Sequence, residues 1–277
     1  MTEDVTGRPE INGRSFYGYD SSDVQDSYTG RDIEAEAGFI LPHLKPGMSI
    51  LDCGCGPGAI TFGLAEAVAS GRVLGVDIEP AMVEQATRLA AEEGVQNVEF
   101  RVGDIYDLPF EDGEFDVVFS HSVTEHLSDP VRALRELRRV VKQGGLAAVV
   151  KTDWTFPFIV PESEGFSKFF ELFEGGFNRI GGSLNRGRYL GAYMREAGFD
   201  VIEVRNQVSN SFGDATVPTA ERFITWMDNI PLFRESVELG IITEAELDAV
   251  RAGMREWAAH PDAYFSLPGI RAVGVKN

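Results

Sequence analysis

Short β-rich segments alternate with helical segments between residues 48 and 151, and this alternation constrains the fold more than any other feature of the chain. The β-rich segments are Met48–Cys53, Arg72–Asp77, Asn97–Arg101, Phe115–Ser120 and Leu146–Lys151. Between them, apolar residues recur at helical spacing, as in Val131, Leu134, Leu137 and Val140. Strands that alternate with helices form βαβ units with right-handed crossovers. The sequence therefore predicts an α/β fold with a doubly wound, mostly parallel sheet covered by helices on both faces.

The pattern divides the chain into three segments. Residues 1–47 form a polar N-terminal arm and a first helix over residues 32–44, which Pro42 ends. Residues 48–151 form the alternating core, in which Gly144 and Gly145 are predicted to stop the last helix. Residues 152–277 contain the remainder of the sheet and further helices.

The third segment begins with an aromatic stretch and continues with mixed elements. We predict a helix over Arg188–Ala197, a strand over Phe199–Arg205 and helices over residues 219–258 that Pro231 interrupts. Thr243 and Glu246 have the spacing of a capping box. A last strand is predicted over Tyr264–Lys276.

Charge and composition exclude several classes of function. The 277-residue chain carries a net charge of −19, which disfavours binding to nucleic acids and anionic membranes. The longest apolar runs are too short to cross a bilayer, and the first residues do not resemble a secretory signal. Cys53 and Cys55 are too close for an unstrained bridge, so we expect reduced thiols and a cytoplasmic protein. The oligomeric state is not indicated.

A glycine-rich loop follows the first core strand and carries the strongest chemical signal. Gly54, Gly56 and Gly58 allow a sharp turn and a close approach to a ligand. Asp77 ends the next strand, where a carboxylate can hold both hydroxyls of a ribose, unless it only caps the following helix. Asp104 follows the third strand, where it can meet an adenine amino group or merely cap a turn. These positions share the ligand-binding edge of an open α/β sheet.

Asp52, two residues before the first glycine of the loop, indicates which nucleotide binds. The spacing is G-x-G-x-G rather than the G-x-G-x-x-G of dinucleotide sites. Asp52 would repel a pyrophosphate, whereas S-adenosylmethionine has no phosphate and carries a sulfonium and an ammonium group. We therefore favour S-adenosylmethionine over NAD as the ligand.

These residues resemble the class I S-adenosylmethionine-dependent methyltransferases. The chain is most similar to the small-molecule methyltransferases of the ubiquinone and menaquinone biosynthesis type. The resemblance is dense over residues 48–151 and thin beyond them. It rests on ILDCGCGPG (50–58), VLGVDIEPAMVEQA (73–86), VGDIYDLPFEDGEFDVVFSHSVTEHL (102–127) and LRELRRVVKQGGLAAVV (134–150). It implies a Rossmann-like core with helical cap insertions that bind the acceptor.

The resemblance also implies the cofactor contacts. Gly54 and Gly56 would pass along the methionine part of the cofactor, beside Asp52, and Asp77 would hold the ribose. Ile78 and Met82 would flank the adenine, with Asp104 and Ile105 at its edge. Ser120 and His121 would lie below the methionine tail, and Tyr28 would close over the cofactor.

Methyl transfer from a sulfonium needs orientation and exclusion of water more than it needs an acid or base. His121 directly follows the fourth strand, so we predict that it orients or deprotonates the acceptor or, alternatively, hydrogen-bonds the methionine tail. His126 is interpreted as a structural histidine. Glu125 is the only carboxylate in residues 120–125, directly after this strand, and we therefore expect no metal.

Aromatic residues are concentrated over residues 152–177, after the fifth strand. They either pack a helix onto the core or line an apolar acceptor pocket. We predict an acceptor pocket with Trp154, Phe169, Phe173 and Trp226. The predicted function is methylation of a small, hydrophobic acceptor with release of S-adenosylhomocysteine. A cyclase or isomerase on the same fold, and a non-catalytic cofactor-binding module, stay open as alternatives.

Overall fold

A computed structural model describes residues 2–3, 9–11, 14–15, 29 and 31–277 of the protein. The chain divides into two units. The core unit comprises Gln25–Lys151, Arg186–Asn206 and Ile270–Asn277, and the helical unit comprises Met1–Val24, Thr152–Asn185 and Gln207–Gly269. Much of the third predicted segment therefore belongs to the helical unit, but its residues 186–206 and 270–277 belong to the core unit. Three short antiparallel strands, β1 (Thr2–Glu3), β2 (Pro9–Ile11) and β3 (Arg14–Ser15), form a small separate sheet.

The main sheet is built on five parallel strands of the core unit. They are β4 (Ser49–Cys53), β5 (Arg72–Asp77), β6 (Val98–Val102), β7 (Phe115–His121) and β8 (Val141–Thr152). The parallel pairs are β4 with β5, β4 with β7, β5 with β6 and β7 with β8. The carboxyl ends of β4, β5 and β7 therefore lie side by side, at the edge where open α/β sheets bind ligands.

Three further strands complete the eight-stranded sheet, β9 (Phe158–Val160), β10 (Asp200–Phe212) and β11 (Tyr264–Val275). The strand order is β10-β11-β8-β7-β4-β5-β6, and β9 pairs antiparallel with β11. This is the predicted α/β fold with a mostly parallel sheet.

The core unit has helices on both faces of its sheet. They are α1 (Ile33–Ala37), α2 (Ala59–Val68), α3 (Pro80–Glu93), α4 (Pro130–Val140) and α6 (Leu190–Glu196). One buried cluster contains Ile40, Ile60, Leu64 and Phe119, and the other contains Leu134, Leu137, Leu190 and Met194. The continuous burial of β4 follows from this cover on both faces.

The helical unit contains the four other α-helices described. These are α5 (Glu164–Arg179), α7 (Thr216–Asn229), α8 (Pro231–Glu238) and α9 (Glu244–Ala258). Pro231 begins α8 and so separates it from α7, and the predicted capping box of Thr243 and Glu246 is present.

Several predicted boundaries were wrong. The first helix ends at Ala37 rather than near Pro42, which lies in a separate 3₁₀ turn (Leu41–His43). Helix α4 ends at Val140, and Gly144 and Gly145 lie within β8, because that strand starts five residues earlier than its apolar run. The strand predicted over Phe199–Arg205 extends to Phe212, and the helix predicted over Arg188–Ala197 begins with a 3₁₀ turn (Arg186–Tyr189).

Candidate active site

The glycine-rich loop joins β4 to α2. Gly54, Gly56 and Gly58 all have positive φ angles, of 82°, 53° and 89°. A side chain at Gly54 would overlap with Val123, whereas a Cβ at Gly56 would meet no atom within 4 Å. The loop therefore needs glycine for its backbone conformation and leaves open space beside Gly56, where a ligand can approach the main chain.

Asp77, at the end of β5, is hydrogen-bonded to this loop. One carboxylate oxygen accepts a hydrogen bond from the Gly56 N–H at 2.9 Å, and the other accepts one from the Glu79 N–H at 3.0 Å. The second bond is made to Glu79, the residue before α3, and no side chain among the described residues caps that helix, so Asp77 does not act as its cap. Both bonds fix the plane of a carboxylate that is only partly buried.

Asp52 is a buried carboxyl group at the end of β4. It accepts a hydrogen bond of 2.7 Å from the Thr61 hydroxyl. Burial raises the pKa of Asp52 to about 7. The nearby charge of Asp77 also raises this pKa, whereas the hydrogen bond from Thr61 lowers it. A positive group placed beside Asp52 would therefore stabilise its ionised form.

The residues predicted around the adenine occupy different environments. Ile78 is 43% exposed, whereas Met82 is buried and Ile105 packs against the core. Asp104 is exposed and accepts a hydrogen bond of 2.8 Å from the Tyr106 N–H. Asp104 thus caps a turn, and its contact with adenine stays a prediction. Tyr28 lies outside the described residues.

His121 is the last residue of β7 and lies between two charged side chains. Its Nε2 is 2.8 Å from a Glu36 oxygen, and its Nδ1 is 3.1 Å from Arg31 Nη1. Burial lowers the pKa of His121 below its usual range, despite the hydrogen bond with Glu36. Sequence reasoning missed Glu36 and Arg31. Neighbouring Ser120 is buried, and its hydroxyl has no hydrogen-bond partner in the described part of the chain.

A buried ion pair lies beyond His121 at the same sheet edge. Lys151 Nζ, near the end of β8, is 2.7 Å from Glu125 Oε1 in the 3₁₀ turn Thr124–His126. His126 Nε2 is 3.8 Å from the same oxygen, and burial lowers the pKa of His126 to about 4. Sequence reasoning missed Lys151, because a lysine in a predicted strand is normally assigned to the surface.

The four residues predicted to bind the acceptor belong to an aromatic cluster of the helical unit. Phe169 and Phe173 are buried and stack at 5.5 Å between ring centroids. Trp154 and Trp226 are only partly buried and meet edge-to-face at 5.5 Å. Packing accounts for the two phenylalanines, which is the alternative considered above, and acceptor contact by all four stays a prediction.

The remaining chemical features are few. Cys53 and Cys55 are buried free thiols, as predicted, and burial raises the pKa of both. Over the described residues, no group of three or more His, Cys, Asp or Glu side chains could hold a metal ion. Within the same residues, no helix is long and apolar enough to span a membrane.

Comparisons with known proteins agree with this geometry. The family described as "Methyltransferase domain" matches residues 44–168. The probable methyltransferase ltbC of Aspergillus luteorubrus is 31% identical over 276 residues, which cover 90% of this chain and 92% of the relative. The demethylmenaquinone methyltransferase of Lactococcus lactis is 38% identical over 126 residues, 45% of this chain and 49% of the relative.

The solved structure of YcgJ from Bacillus subtilis shares the fold. Its TM-score is 0.56 at 21% identity, and the match covers 87% of this chain and 97% of YcgJ. The sheet order, the glycine-rich loop and the acids at the strand ends define a class I, Rossmann-like methyltransferase fold. The chain belongs to the methyltransferases, as the match with the probable methyltransferase ltbC along nearly its whole length shows.

Proposed function

We propose that this protein transfers a methyl group from S-adenosylmethionine to a low-molecular-weight, hydrophobic acceptor. The observation that carries the proposal is the buried Asp52 beside the open glycine loop. A buried carboxyl group with a pKa of about 7 favours a positively charged ligand over a phosphate. When bound, S-adenosylmethionine supplies a methyl group already activated on a sulfonium centre.

The residues of the chain then bind and orient the cofactor. Asp52 would face its positive charge, and Asp77, whose plane the loop fixes, would accept hydrogen bonds from the ribose hydroxyls. The free hydroxyl of buried Ser120 offers a polar contact to the methionine tail. Gly56 gives the cofactor room beside the main chain. We retain Ile78, Met82, Asp104, Ile105 and Tyr28 as proposed adenine and closing contacts.

The acceptor is proposed to be an apolar organic molecule. Partly buried Trp154 and Trp226 offer large rings with polar N–H groups, as small-molecule sites commonly do. The Lactococcus relative is named for demethylmenaquinone, a small organic acceptor. The strongly acidic composition and the two free thiols support action in the cytoplasm on a small molecule rather than on nucleic acid.

Calorimetric titration with S-adenosylmethionine and S-adenosylhomocysteine tests the cofactor assignment. Hydrogen bonds to charged groups are worth about 1.5–3 kcal/mol, so Asp77→Ala should weaken binding about tenfold or more. Glu92→Ala, on the exposed side of α3, is the matched control and should bind like the wild type. Unchanged affinity in a folded Asp77→Ala protein would contradict the assignment.

Product analysis separates methyl transfer from its alternatives. Turnover of cell-extract fractions with labelled S-adenosylmethionine should release S-adenosylhomocysteine and label a small, apolar product. A cyclase or isomerase would convert its substrate without consuming the cofactor. A binding module would show titration without any turnover.

A further inference from the structure

The 3₁₀ turn Thr124–His126 and the end of β8 place a buried charge pair at the cofactor edge of the sheet. Lys151 is fully buried, Glu125 is 4% exposed, and the distance from Lys151 Nζ to Glu125 Oε1 is 2.7 Å. Strand β8 is the parallel neighbour of β7, so Lys151 follows the residue paired with His121. The pair therefore lies at the strand ends, one strand beyond those that hold Asp52 and His121.

Only one oxygen of the Glu125 carboxylate, Oε1, contacts Lys151 in this ion pair. Its second oxygen, Oε2, is buried and has no hydrogen-bond partner among the residues described. The hydroxyl of Thr124, the preceding residue, is also buried and without a partner there. Leaving such atoms unbonded is unfavourable. Two adjacent residues with unused hydrogen-bonding atoms at a ligand-binding edge indicate that a polar group of a ligand bonds to them.

His121, the other candidate for this role, has both ring nitrogens engaged. Glu36 bonds Nε2, and Arg31 bonds Nδ1. A group of the acceptor could reach a nitrogen of His121 only by replacing one of these partners. Glu125 Oε2 can accept a hydrogen bond while the Lys151 contact stays in place.

The charges around Glu125 restrict the kind of group that can bind. Arg186 donates a hydrogen bond of 3.3 Å to the Thr124 carbonyl, and the charges of Lys151 and Glu125 cancel, so the ion pair adds no net charge. His126 adds none at neutral pH, because burial lowers its pKa to about 4. An ammonium group would add a positive charge to a site that, in the proposed function, also receives a sulfonium. A neutral hydroxyl adds no charge, can donate to Glu125 Oε2 and can accept from the Thr124 hydroxyl.

We propose that Glu125 and Thr124 bind a hydroxyl group of the acceptor, and that Glu125 accepts its proton as oxygen is methylated. This inference rests on the proposed function and adds the chemical class of the acceptor, an uncharged alcohol or phenol. The hydroxyl oxygen forms a bond to the methyl carbon, and the carbon–sulfur bond breaks with its electron pair left on sulfur. The hydroxyl proton passes to Glu125 Oε2, which leaves a neutral carboxyl group beside Lys151.

The test compares two Glu125 variants with a matched control pair. Glu125→Gln keeps the size of the side chain but leaves Lys151 without its counter-charge, so it can unfold the protein. The double variant Glu125→Gln/Lys151→Met removes both charges and keeps the experiment valid if the single variant fails to fold. The control is Arg179→Gln/Glu235→Met, which removes a partly buried ion pair of 2.9 Å in the helical unit.

The probes are 1-naphthol, 1-naphthylamine and 1-methoxynaphthalene, which share an apolar body and differ in one polar group. With S-adenosylhomocysteine bound, we expect the wild type to bind 1-naphthol more tightly than the other two, and the Glu125 variants to lose that preference. With labelled S-adenosylmethionine, methylation of 1-naphthol should fall about 100-fold or more in the Glu125 variants. Cofactor affinity should be unchanged in all variants, and the control pair should behave like the wild type.

Three results would overturn the inference. They are wild-type rates in a folded Glu125 variant, a preference for 1-naphthylamine, and no binding of 1-naphthol to the cofactor-loaded wild type. In each of them the cofactor still binds and the proposed function stands. A wild-type protein that binds no S-adenosylmethionine contradicts the proposed function itself.

Discussion

The imidazole Nε2 of His121, at the end of β7, lies 2.8 Å from a carboxylate oxygen of Glu36 in α1. The opposite nitrogen, Nδ1, is 3.1 Å from the Arg31 guanidinium, which can only donate. Nδ1 is therefore the acceptor, and the neutral ring carries its proton on Nε2, which donates to Glu36. His121 thus connects the segment before β4 to the cofactor edge of the sheet.

This arrangement predicts how a His121 variant will behave. The positive charge of Arg31 is close enough to influence Asp52. We expect His121→Ala to release Arg31 from its position and to weaken cofactor binding measurably in a calorimetric titration. A general base contributes about 10²–10⁴-fold to the rate, so a change in kcat below about threefold would exclude that role for His121.

Glu36→Gln is the companion variant, because an amide keeps a hydrogen bond to Nε2 while it removes the charge. Glu36→Gln should also weaken cofactor binding, but less than His121→Ala does. A large fall in kcat for His121→Ala with unchanged cofactor affinity would instead assign His121 as the base.

We predict that binding of the cofactor releases a proton from the carboxyl group of Asp52. Its pKa is about 7 in the free protein, so about half of the molecules carry the proton at pH 7. A positive ligand favours the ionised carboxylate and expels that proton. Affinity for S-adenosylmethionine should therefore rise as the pH increases towards 7 and level off above it. Calorimetry in two buffers of different ionisation enthalpy measures the protons released, and Asp52→Asn should release fewer.

The same residue makes the stability of the free protein depend on pH. Between the ordinary pKa of 3.8 and about 7, the folded state holds a proton that the unfolded state has lost. Asp52 therefore favours folding below pH 3.8, and this contribution is lost as the pH rises through 7. The difference between these two pKa values corresponds to about 4–5 kcal/mol, at about 1.4 kcal/mol for each pKa unit. Asp52→Asn should thus gain stability relative to the wild type between pH 5 and 8 in urea unfolding without cofactor, and a parallel pH dependence would contradict this.

The sequence predicts the central fold well, because its signals there are local. Both ends of the strand Arg72–Asp77 are predicted correctly, because Arg72 and Asp77 stand at the two ends of a short apolar run. The beginning of β8 is missed, because Gly144 and Gly145 resemble a helix stop. In the structure the Gly144 N–H bonds the Lys276 carbonyl, a contact between residues far apart in the chain. Boundaries set by such distant pairing leave no local pattern.

In the candidate site too, residues that belong to local sequence patterns are predicted, and residues that depend on tertiary contacts are missed. Asp52, Gly56 and Asp77 stand out because each follows or ends a predicted strand and the loop joins them. Glu36, Arg31 and Lys151 do not stand out, because their roles depend on tertiary contacts with His121 and Glu125. For Phe169, aromatic enrichment alone does not separate a packing residue from a ligand contact, so its contact with the acceptor stays a prediction.

Turnover is predicted to need no divalent metal. Residues 120–125 provide Glu125 as their only carboxylate, and Lys151 neutralises that group at 2.7 Å. Methyl transfer should therefore continue in excess EDTA at an unchanged rate. Loss of activity on chelation that added magnesium restores would disprove this prediction.

We expect substitutions in the aromatic cluster to have different effects at its buried phenylalanines and at its partly buried tryptophans. Phe169 is fully buried and stacks on Phe173 and Phe233, at 5.5 Å and 5.2 Å between ring centroids. Phe169→Ala removes a whole ring from this packing and should cost about 3–5 kcal/mol of stability. Phe173→Ala should act in the same direction. Urea unfolding measures the loss. In molecules that stay folded, a KM for the acceptor that rises more than the KM for the cofactor would support the predicted acceptor contact, and equal changes in both would favour packing alone.

Trp154 and Trp226 should behave differently, because both are only partly buried. Trp226 Nε1 has no hydrogen-bond partner within the described part of the chain, so its N–H is unused by the cluster. Trp226→Phe keeps an aromatic ring and removes that donor. It should raise the KM for the acceptor more than the KM for the cofactor, with little loss of stability compared with Phe169→Ala. If Trp226→Phe instead lowers stability and leaves both KM values unchanged, the cluster is a packed core and the acceptor binds elsewhere.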